Sequence, residues 1–337
     1  MIIFLKNNCE NNELEKLKNT IKSMNLKFKL YNHGERNIIE LIGEDRYFSK
    51  ERFETFTCVE KVVKILKPYY LVSKEYKNET IIKFNDFEIK NNNFTIIAGP
   101  CSIEDRDMTF EIAHFLKENG IKIMRGGAFK PRTSPYSFQG NGMKALEYLK
   151  EASEKYNLLT VSEAVGIDVL KEIKNYVDIV QVGSRNSQNF ELLKNLGSIN
   201  KPVLLKRGFM NTIEEFLQSA EYIALRGNKN IILCERGIRT FENQTRNTLD
   251  ISAFPLIKLN SNLPIISDPS HAAGRRDIIP TLAKASMASG ANGIIVEIHP
   301  NPEKALSDGK QSLNFKEFQS MVKELINLSS ALNIKIN

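Results

Sequence analysis

The sequence contains no apolar run that approaches the ~20 residues a membrane-spanning helix needs. Residues 1–18 also lack a basic stretch ahead of an apolar segment and a small-residue cleavage site, so they predict no signal peptide. We therefore expect a cytoplasmic protein with no membrane partner, whose thiols stay reduced.

Cysteine is scarce, and the four residues are widely and irregularly spaced at Cys9, Cys58, Cys101 and Cys234. That spacing indicates neither a CxxC zinc site nor a disulfide framework. Cys234 lies within an apolar segment, which favours a small core residue. Cys101 lies at the end of such a segment. A cysteine at that position can be either a core residue or a metal ligand.

Basic clusters are absent as well, although the formal net charge is +7. A nucleic-acid-binding protein would concentrate Lys and Arg along one helix or alternate them with exposed aromatic residues. Here the charge is spread along the chain, and single cations stand at the ends of apolar segments. This pattern favours small anionic substrates, and no nucleic-acid partner is expected.

From residue 94 onward, an apolar strand pattern followed by a helical pattern repeats eight times. The strand patterns are short, nearly continuous apolar runs, which is typical of parallel strands covered on both faces. Eight such units predict a (β/α)8 TIM barrel over residues 94–337. A doubly wound sheet is disfavoured because no glycine-rich phosphate turn follows the first strand. The predicted strands are 94–101, 121–127, 158–164, 179–184, 202–208, 231–237, 264–270 and 292–300, and the clearest helices are 108–120, 212–227 and 315–332.

Residues 1–75 show a different order, βαββαβ, which predicts a small α+β domain of the ferredoxin-like type. Its features include a turn at His33–Gly34–Glu35, a short helix over 49–56 and a strand near 59–73. Residues 76–93 contain a polar linker and then a run that alternates with period two, which predicts a hairpin at the bottom of the barrel.

Chemically versatile residues stand where the first, seventh and eighth barrel strands end, and ligands of such barrels bind at these C-terminal ends. The segments are 99–102, with a cysteine, 268–271, with an aspartate and a histidine, 297–300, with a glutamate and a histidine, and 305–309, with an aspartate. A single histidine or cysteine is more often structural. A thiolate, an imidazole and two carboxylates on neighbouring strands favour one divalent metal such as Mn, Fe, Co or Zn.

Cationic side chains follow the strands in between. The loop over 124–135 carries three cations within eight positions, stiffened by Pro131 and Pro135. A charge within an apolar strand is costly unless it is paired, so Lys206 and Arg236 are expected to meet an anion rather than water. A structural salt bridge to Glu163 or Glu235 is the alternative. More cations converge than one phosphate needs, which predicts two anionic substrates.

Together these segments resemble the 3-deoxy-D-arabino-heptulosonate 7-phosphate (DAHP) synthases of type I-beta, which carry an N-terminal ferredoxin-like regulatory domain. The resemblance covers essentially the whole chain. It rests on residues 98–102, 124–140, 183–189, 204–216, 232–241, 266–277 and 305–313.

The resemblance implies a metal-dependent condensation of phosphoenolpyruvate, D-erythrose 4-phosphate and water, the first step of the shikimate pathway to aromatic amino acids. The implied metal ligands are Cys101, His271, Glu297 and Asp308. The implied phosphoenolpyruvate contacts are Arg125, Lys130, Ser184, Arg185, Lys206 and Arg236. The implied erythrose 4-phosphate contacts are Lys130, Pro131, Arg132 and Thr133. The catalytic residues would be Lys130, Glu163, as an orienter of water, and His271.

The resemblance also implies an ACT-like regulatory role for residues 1–75, with tyrosine or phenylalanine as effector, and a homotetramer. The near alternative is the sister synthase that makes 3-deoxy-D-manno-octulosonate 8-phosphate from arabinose 5-phosphate. Those enzymes carry Lys-Ala-Asn-Arg after the second strand and usually lack the N-terminal domain. Residues 130–133 read Lys-Pro-Arg-Thr instead, which favours the heptulosonate reaction.

Overall fold

The computed structural model describes residues 1–33, 36–42, 48–64, 68–131 and 134–337. The tip of the turn predicted at His33–Gly34–Glu35 lies outside these residues, as do Arg132 and Thr133. Within the described ranges, no helix is both long enough and apolar enough to cross a membrane.

The N-terminal unit has the predicted βαββαβ order. Its sheet is antiparallel throughout, with the strand order β2-β3-β1-β4. One face packs against α1 and α2, because Ile3 and Leu5 of β1 share a buried cluster with Leu17 and Ile21. The elements are β1 Ile2–Leu5, α1 Asn11–Ser23, β2 Lys27–His33, β3 Arg36–Ile42, α2 Glu51–Glu54 and β4 Val59–Val63.

The segment after β4 differs from its prediction, because the strand expected near 59–73 ends at Val63. Pro68 cannot donate a backbone hydrogen bond, and the backbone after it bonds to the barrel rather than to the sheet. The carboxylate of Glu221 accepts hydrogen bonds from the amides of Leu71 and Val72, at 2.9 and 3.1 Å. The side-chain amide of Asn262 donates to the carbonyl of Leu71 at 3.0 Å. Residues 69–73 are therefore a connector bound to the barrel.

Eight parallel strands follow in sequential order and close into a barrel, as predicted. Closure comes from pairing of the last barrel strand with the first, where Glu297 lies in register with Gly99. Alternate residues point inward and form a buried apolar cluster, which includes Cys234. The strands are β7 Asn93–Gly99, β8 Ile123–Arg125, β9 Leu159–Glu163, β10 Ile179–Val182, β11 Val203–Lys206, β12 Ile231–Glu235, β13 Ile265–Ser267 and β14 Gly293–Glu297.

Helices surround the barrel, and side chains set several of their first turns. Asp105 accepts a hydrogen bond from the amide of Met108, which starts the first barrel helix at residue 106. Thr212 and Glu215 form a capping box, as do Asn314 and Glu317. The helices are α3 Arg106–Glu118, α4 Met143–Tyr156, α5 Ile167–Ile173, α6 Phe190–Leu196, α7 Ile213–Ala224, α8 Ala253–Asn260, α9 Pro269–Ala273, α10 Ile279–Ala288 and α11 Phe315–Leu332.

A short hairpin, β5 Ile82–Lys83 and β6 Glu88–Ile89, covers the N-terminal end of the barrel. Ile82, Phe87 and Ile89 join the inward-facing cluster of the barrel strands. A last strand, β15 Lys335–Ile336, pairs in parallel with the start of β7. Ligands of such barrels bind at the opposite end, where the strands terminate.

Candidate active site

One cleft opens at the C-terminal ends of the strands, and the side chains around it are mostly charged. All the site residues predicted from the sequence that the structure describes line this cleft or lie in the cluster of Cys101 and Glu297 beside it. The cleft is lined by Arg125, Lys130, Pro131, Glu163, Gln181, Gly183, Ser184, Arg185, Lys206, Phe209, Arg236, Arg246, His271 and Asp308.

A metal-type cluster lies at one side of the cleft, where the first and last barrel strands pair. Cys101, Glu297 and Asp308 each offer one ligand atom, and these atoms lie within 4.8 Å of one another. His271 approaches the same cluster, because its Nε2 lies 3.4 Å from Oε1 of Glu297. Sulfur, nitrogen and oxygen donors at this spacing fit a divalent transition metal.

The protonation of the cluster follows from its burial and its charges. Burial, with a further contribution from Glu297, raises the pKa of the Cys101 thiol to about 12. Burial acts to raise the pKa of Asp308 too, but His271 and Arg246 outweigh it and lower that pKa to about 2. Burial lowers the pKa of His271, which favours its neutral, ligating form. The thiol is thus the one donor that must lose a proton to bind a cation.

Neighbouring side chains hold the carboxylate of Glu297 on both sides. Arg125 donates to its Oε1 at 3.0 Å, and Gln311 donates to its Oε2 at 2.6 Å. The amide of Glu297 donates to the hydroxyl of Ser270 at 3.0 Å. Both carboxylate oxygens and the backbone are therefore fixed before any ligand binds.

Two further cations of the cleft lining, Lys206 and Arg236, are here called the cationic wall. Lys206 and Arg236 are buried, although they are charged. Lys206 contacts Asp268 rather than the predicted alternatives Glu163 or Glu235. Burial lowers the pKa of Arg236, although Asp268 acts against the shift. The guanidinium of Arg236 lies 4.7 Å from the ring centroid of Phe209, over its face. This wall is well suited to an anion.

A second buried salt bridge of this region is formed by the neighbouring residue, Arg207. Its Nη1 lies 2.8 Å from a carboxylate oxygen of Glu235 and 2.8 Å from one of Asp250. Arg207 is buried and points away from the cleft lining. The two adjacent cations of β11 therefore differ, because Lys206 faces the cleft and Arg207 holds the loop beyond β12.

Glu163 stands at the end of β9 on the floor of the cleft. Its Oε2 accepts a hydrogen bond from the side chain of Gln181 at 3.1 Å. Gly183 makes room for it, since a Cβ at that position would lie 2.1 Å from Oε1 of Glu163. A side chain at residue 183 would therefore displace this carboxylate from its present position.

The structure places further residues at the site that the sequence patterns did not single out. Arg246 donates to Oε1 of Gln311 at 3.1 Å and lies 3.6 Å from Asp308. It comes from the long loop between β12 and α8, not from a strand end. A long loop on this face of a barrel is itself a signal of a site, so the length of residues 236–252 was the available clue.

Comparison with known families and structures agrees with this architecture. Residues 79–333 match the family model described as the DAHP synthetase I family, and residues 1–67 match the DAHP synthase ferredoxin-like domain. The chain is 58% identical over 338 residues to the phospho-2-dehydro-3-deoxyheptonate aldolase of Thermotoga maritima, with full coverage of both chains.

A crystal structure of the same Thermotoga enzyme and one more distant relative extend this comparison. The crystal structure of the Thermotoga maritima aldolase, also named DAHP synthase, superposes with a TM-score of 0.81 and covers 100% of this chain and 99% of that chain. The 2-dehydro-3-deoxyphosphooctonate aldolase of Syntrophobacter fumaroxidans is 29% identical over 72% of this chain and 91% of its own length. Because family models match nearly its full length, the chain belongs to the DAHP synthetase I family of enzymes and carries the ferredoxin-like domain of DAHP synthases.

Proposed function

We propose that this chain condenses phosphoenolpyruvate with D-erythrose 4-phosphate and water to give DAHP and phosphate, in a metal-dependent reaction. The observation that carries the proposal is the juxtaposition, in one cleft, of the cluster of Cys101, Glu297 and Asp308 with a wall of buried cations. The full-length similarity to an enzyme named for the heptulosonate reaction supports it.

The cationic wall suits phosphoenolpyruvate, which carries a carboxylate and a phosphate. Arginine recognises such planar or tetrahedral anions through paired hydrogen bonds, and lysine acts as a point charge. As phosphate departs, Lys206 and Arg236 would offset the growing negative charge on it. The residues assigned to this substrate are Arg125, Lys130, Ser184, Arg185, Lys206 and Arg236.

The loop of residues 130–133 would hold erythrose 4-phosphate. Lys130 and Pro131 line the cleft, and the remaining two residues of the loop, Arg132 and Thr133, lie outside the described structure. The backbone of Lys130 is fixed, because its amide donates to the carbonyl of Gln139 at 2.9 Å. A second anion would therefore sit beside the first, between the loop and the metal-type cluster.

Cys101, His271, Glu297 and Asp308 would hold the metal. When bound, a divalent metal at this site supplies a Lewis acid that polarises the aldehyde oxygen. The enol carbon C3 of phosphoenolpyruvate forms a bond to the aldehyde carbon, water adds to C2, and phosphate leaves by C–O cleavage. Glu163, held by Gln181 at the cleft floor, would orient that water.

The alternative octulosonate reaction is disfavoured on three counts. Residues 130–133 read Lys-Pro-Arg-Thr. Three relatives named 2-dehydro-3-deoxyphosphooctonate aldolase are 29–30% identical over 72–75% of this chain. A DAHP synthase ferredoxin-like domain also precedes the barrel. Turnover with each aldose phosphate separates the two reactions. A preference for arabinose 5-phosphate would contradict the proposal.

A phosphate-release assay with both substrates tests the reaction and the metal together. Activity should disappear after complete treatment with a chelator and return when Mn²⁺, Fe²⁺, Co²⁺ or Zn²⁺ is added back. A chain that turns over at its full rate without metal would leave the reaction intact but refute the metal-dependent mechanism.

The N-terminal domain would act as a feedback module for tyrosine or phenylalanine. It packs on the barrel connector, with the ring centroids of Phe4 and Tyr70 5.9 Å apart, and the guanidinium of Arg226 lies 5.9 Å from the ring centroid of Tyr31. A domain in contact with the barrel can bias it through differential contacts. The proposal also includes that the protein is cytoplasmic and forms a homotetramer.

Inhibition is tested by measuring turnover against each aromatic amino acid, with the full chain and with a chain lacking residues 1–75. A truncated DAHP synthase of Thermotoga maritima, which covers 80% of this chain, forms a comparable structure with a TM-score of 0.76. Inhibition should be lost with the domain. Equal insensitivity of both chains would exclude the regulatory role.

A further inference from the structure

Asp268 is a buried carboxylate that lies between the metal-type cluster and the cationic wall. It follows β13 and is 1% exposed. Its Oδ1 accepts a hydrogen bond from the amide of His271 at 2.9 Å and caps α9. Its own amide donates to the carbonyl of Glu235 at 2.7 Å, so the side chain is held from both directions.

The other oxygen of Asp268 serves two partners at once. Its Oδ2 contacts the ammonium of Lys206 and lies 2.7 Å from Nδ1 of His271. Lys206 belongs to the cationic wall, and His271 belongs to the metal-type cluster. A single oxygen atom therefore joins the two halves of the cleft.

The contact with His271 determines which ring nitrogen can bind a cation. A carboxylate beside Nδ1 favours the proton on that nitrogen and leaves the lone pair on Nε2. Nε2 is the nitrogen that points into the cluster, at 3.4 Å from Oε1 of Glu297. Asp268 is thus placed where it can hold this histidine with the proton on Nδ1.

The contact with Asp268 also holds the ammonium of Lys206, a cation assigned to phosphoenolpyruvate in the proposed function. A cation on Nε2 makes the Nδ1–H of His271 a stronger donor, which draws Oδ2 toward the ring and weakens its hold on Lys206. An anion that attracts Lys206 has the converse effect and leaves Oδ2 freer for His271. Each ligand should therefore tighten the other, as reciprocity of binding free energies requires.

We propose that Asp268 is a positioning residue that couples metal binding to phosphoenolpyruvate binding through its shared Oδ2. The inference rests on the proposed function, since it assigns the anion at Lys206 to phosphoenolpyruvate. Asp268 itself would touch neither the reacting atoms nor the metal, and it would act through His271 and Lys206.

The test measures Mn²⁺ binding to the full-length, chelator-treated chain by equilibrium dialysis, with and without saturating phosphoenolpyruvate. In the unmodified chain, phosphoenolpyruvate should tighten Mn²⁺ binding about fivefold or more. Asp268→Asn should weaken Mn²⁺ binding about 10- to 100-fold. The ratio of the Mn²⁺ dissociation constants measured without and with phosphoenolpyruvate should fall to about one. Asn keeps the helix cap, so the fold should persist.

Two further variants make the result specific. Asp86→Asn removes a carboxylate that pairs with Lys122 at the hairpin end of the barrel, and it should leave the Mn²⁺ affinity and the ratio unchanged. Asp268→Ser keeps a capping oxygen without charge, and it replaces the Asn variant if that one fails to fold by circular dichroism. It should show the same two losses.

The outcomes distinguish this inference from the proposed function. An Asp268→Asn chain that binds Mn²⁺ as tightly as the unmodified chain, or that keeps the ratio, would overturn the role of Asp268. Failure of the proposed function would appear in the unmodified chain itself, as absent phosphoenolpyruvate binding or turnover.

Discussion

The ammonium of Lys130 lies 3.0 Å from the sulfur of Cys101 and 2.9 Å from the carbonyl oxygen of the same residue. This contact brings the loop after β8 to the end of β7. Lys130 therefore contacts the metal-type cluster and also lines the cleft, as expected of a side chain proposed to serve two substrates.

Replacing Lys130 with Met should lower kcat/KM for phosphate release about 10- to 100-fold, because a hydrogen bond from a charged donor contributes about 1.5–3 kcal/mol. Lys144→Met is the matched control, since Lys144 is exposed on α4. Steady-state kinetics with both substrates give the comparison. If the two variants lose activity equally, Lys130 has no special role.

Metal binding to the chelator-treated chain should release about one proton per site between pH 7 and 8. With a pKa of about 12, the Cys101 thiol is protonated in this range, and only its thiolate binds a metal. The apparent affinity should therefore rise with pH. Titration with Zn²⁺ in weak buffer containing a pH indicator measures the release.

Cys234→Ala is the control for proton release, because Cys234 is buried in the barrel interior away from the cluster. It should leave the release unchanged, whereas Cys101→Ala should abolish it. Binding of Zn²⁺ without a proton from the unmodified chain would place the thiol outside the site.

Arg246 is predicted to matter although no strand-end pattern marks it. Its guanidinium orients Gln311 and lies near Asp308, so Arg246→Gln should lower kcat/KM about tenfold, as expected for loss of one charged hydrogen bond. Arg275→Gln removes a guanidinium that forms an exposed pair with Asp277. Exposed ion pairs contribute little to the stability of a protein. The kcat/KM of Arg275→Gln should therefore match that of the unmodified chain.

Glu221 should fix the connector to the barrel. Its carboxylate accepts two backbone amides, and Glu221→Gln can accept from one of them at most. Hydrogen exchange of the Leu71 and Val72 amides should become about 10- to 100-fold faster, since lost hydrogen bonds to a charged group cost about 1.5–3 kcal/mol. Glu214→Gln, exposed on the same helix, should not change these rates. Unchanged protection in Glu221→Gln would mean that other contacts hold the connector.

The barrel was predictable because each of its strands is covered on both faces and reads as a short apolar run. Where such a run stops at a charged residue, as at Lys206 or Arg236, the same pattern also marks the cleft. Local pattern therefore predicts the elements and the residues at their ends.

Contacts between distant segments were not predictable in the same way. The sequence near 59–73 is apolar enough for a strand, but the partner of its second half is Glu221, about 150 residues away. The contact of Asp268 with Lys206 likewise depends on how β11 and β13 lie on either side of β12. Periodicity contains no information about such pairs, because they are decided by packing of the whole chain.

The donors of the metal-type cluster come from the two ends of the barrel sequence, with Cys101 after the first barrel strand and Glu297 on the last. A chain under synthesis emerges with its N-terminus first. Lys206 and Arg236 are therefore synthesised before Glu297 and Asp308, at a stage when Cys101 is the only residue of the cluster present. Glu297 can meet Cys101 only when β14 has paired with β7, so a chain that holds an ion through both residues is one in which the barrel has already closed.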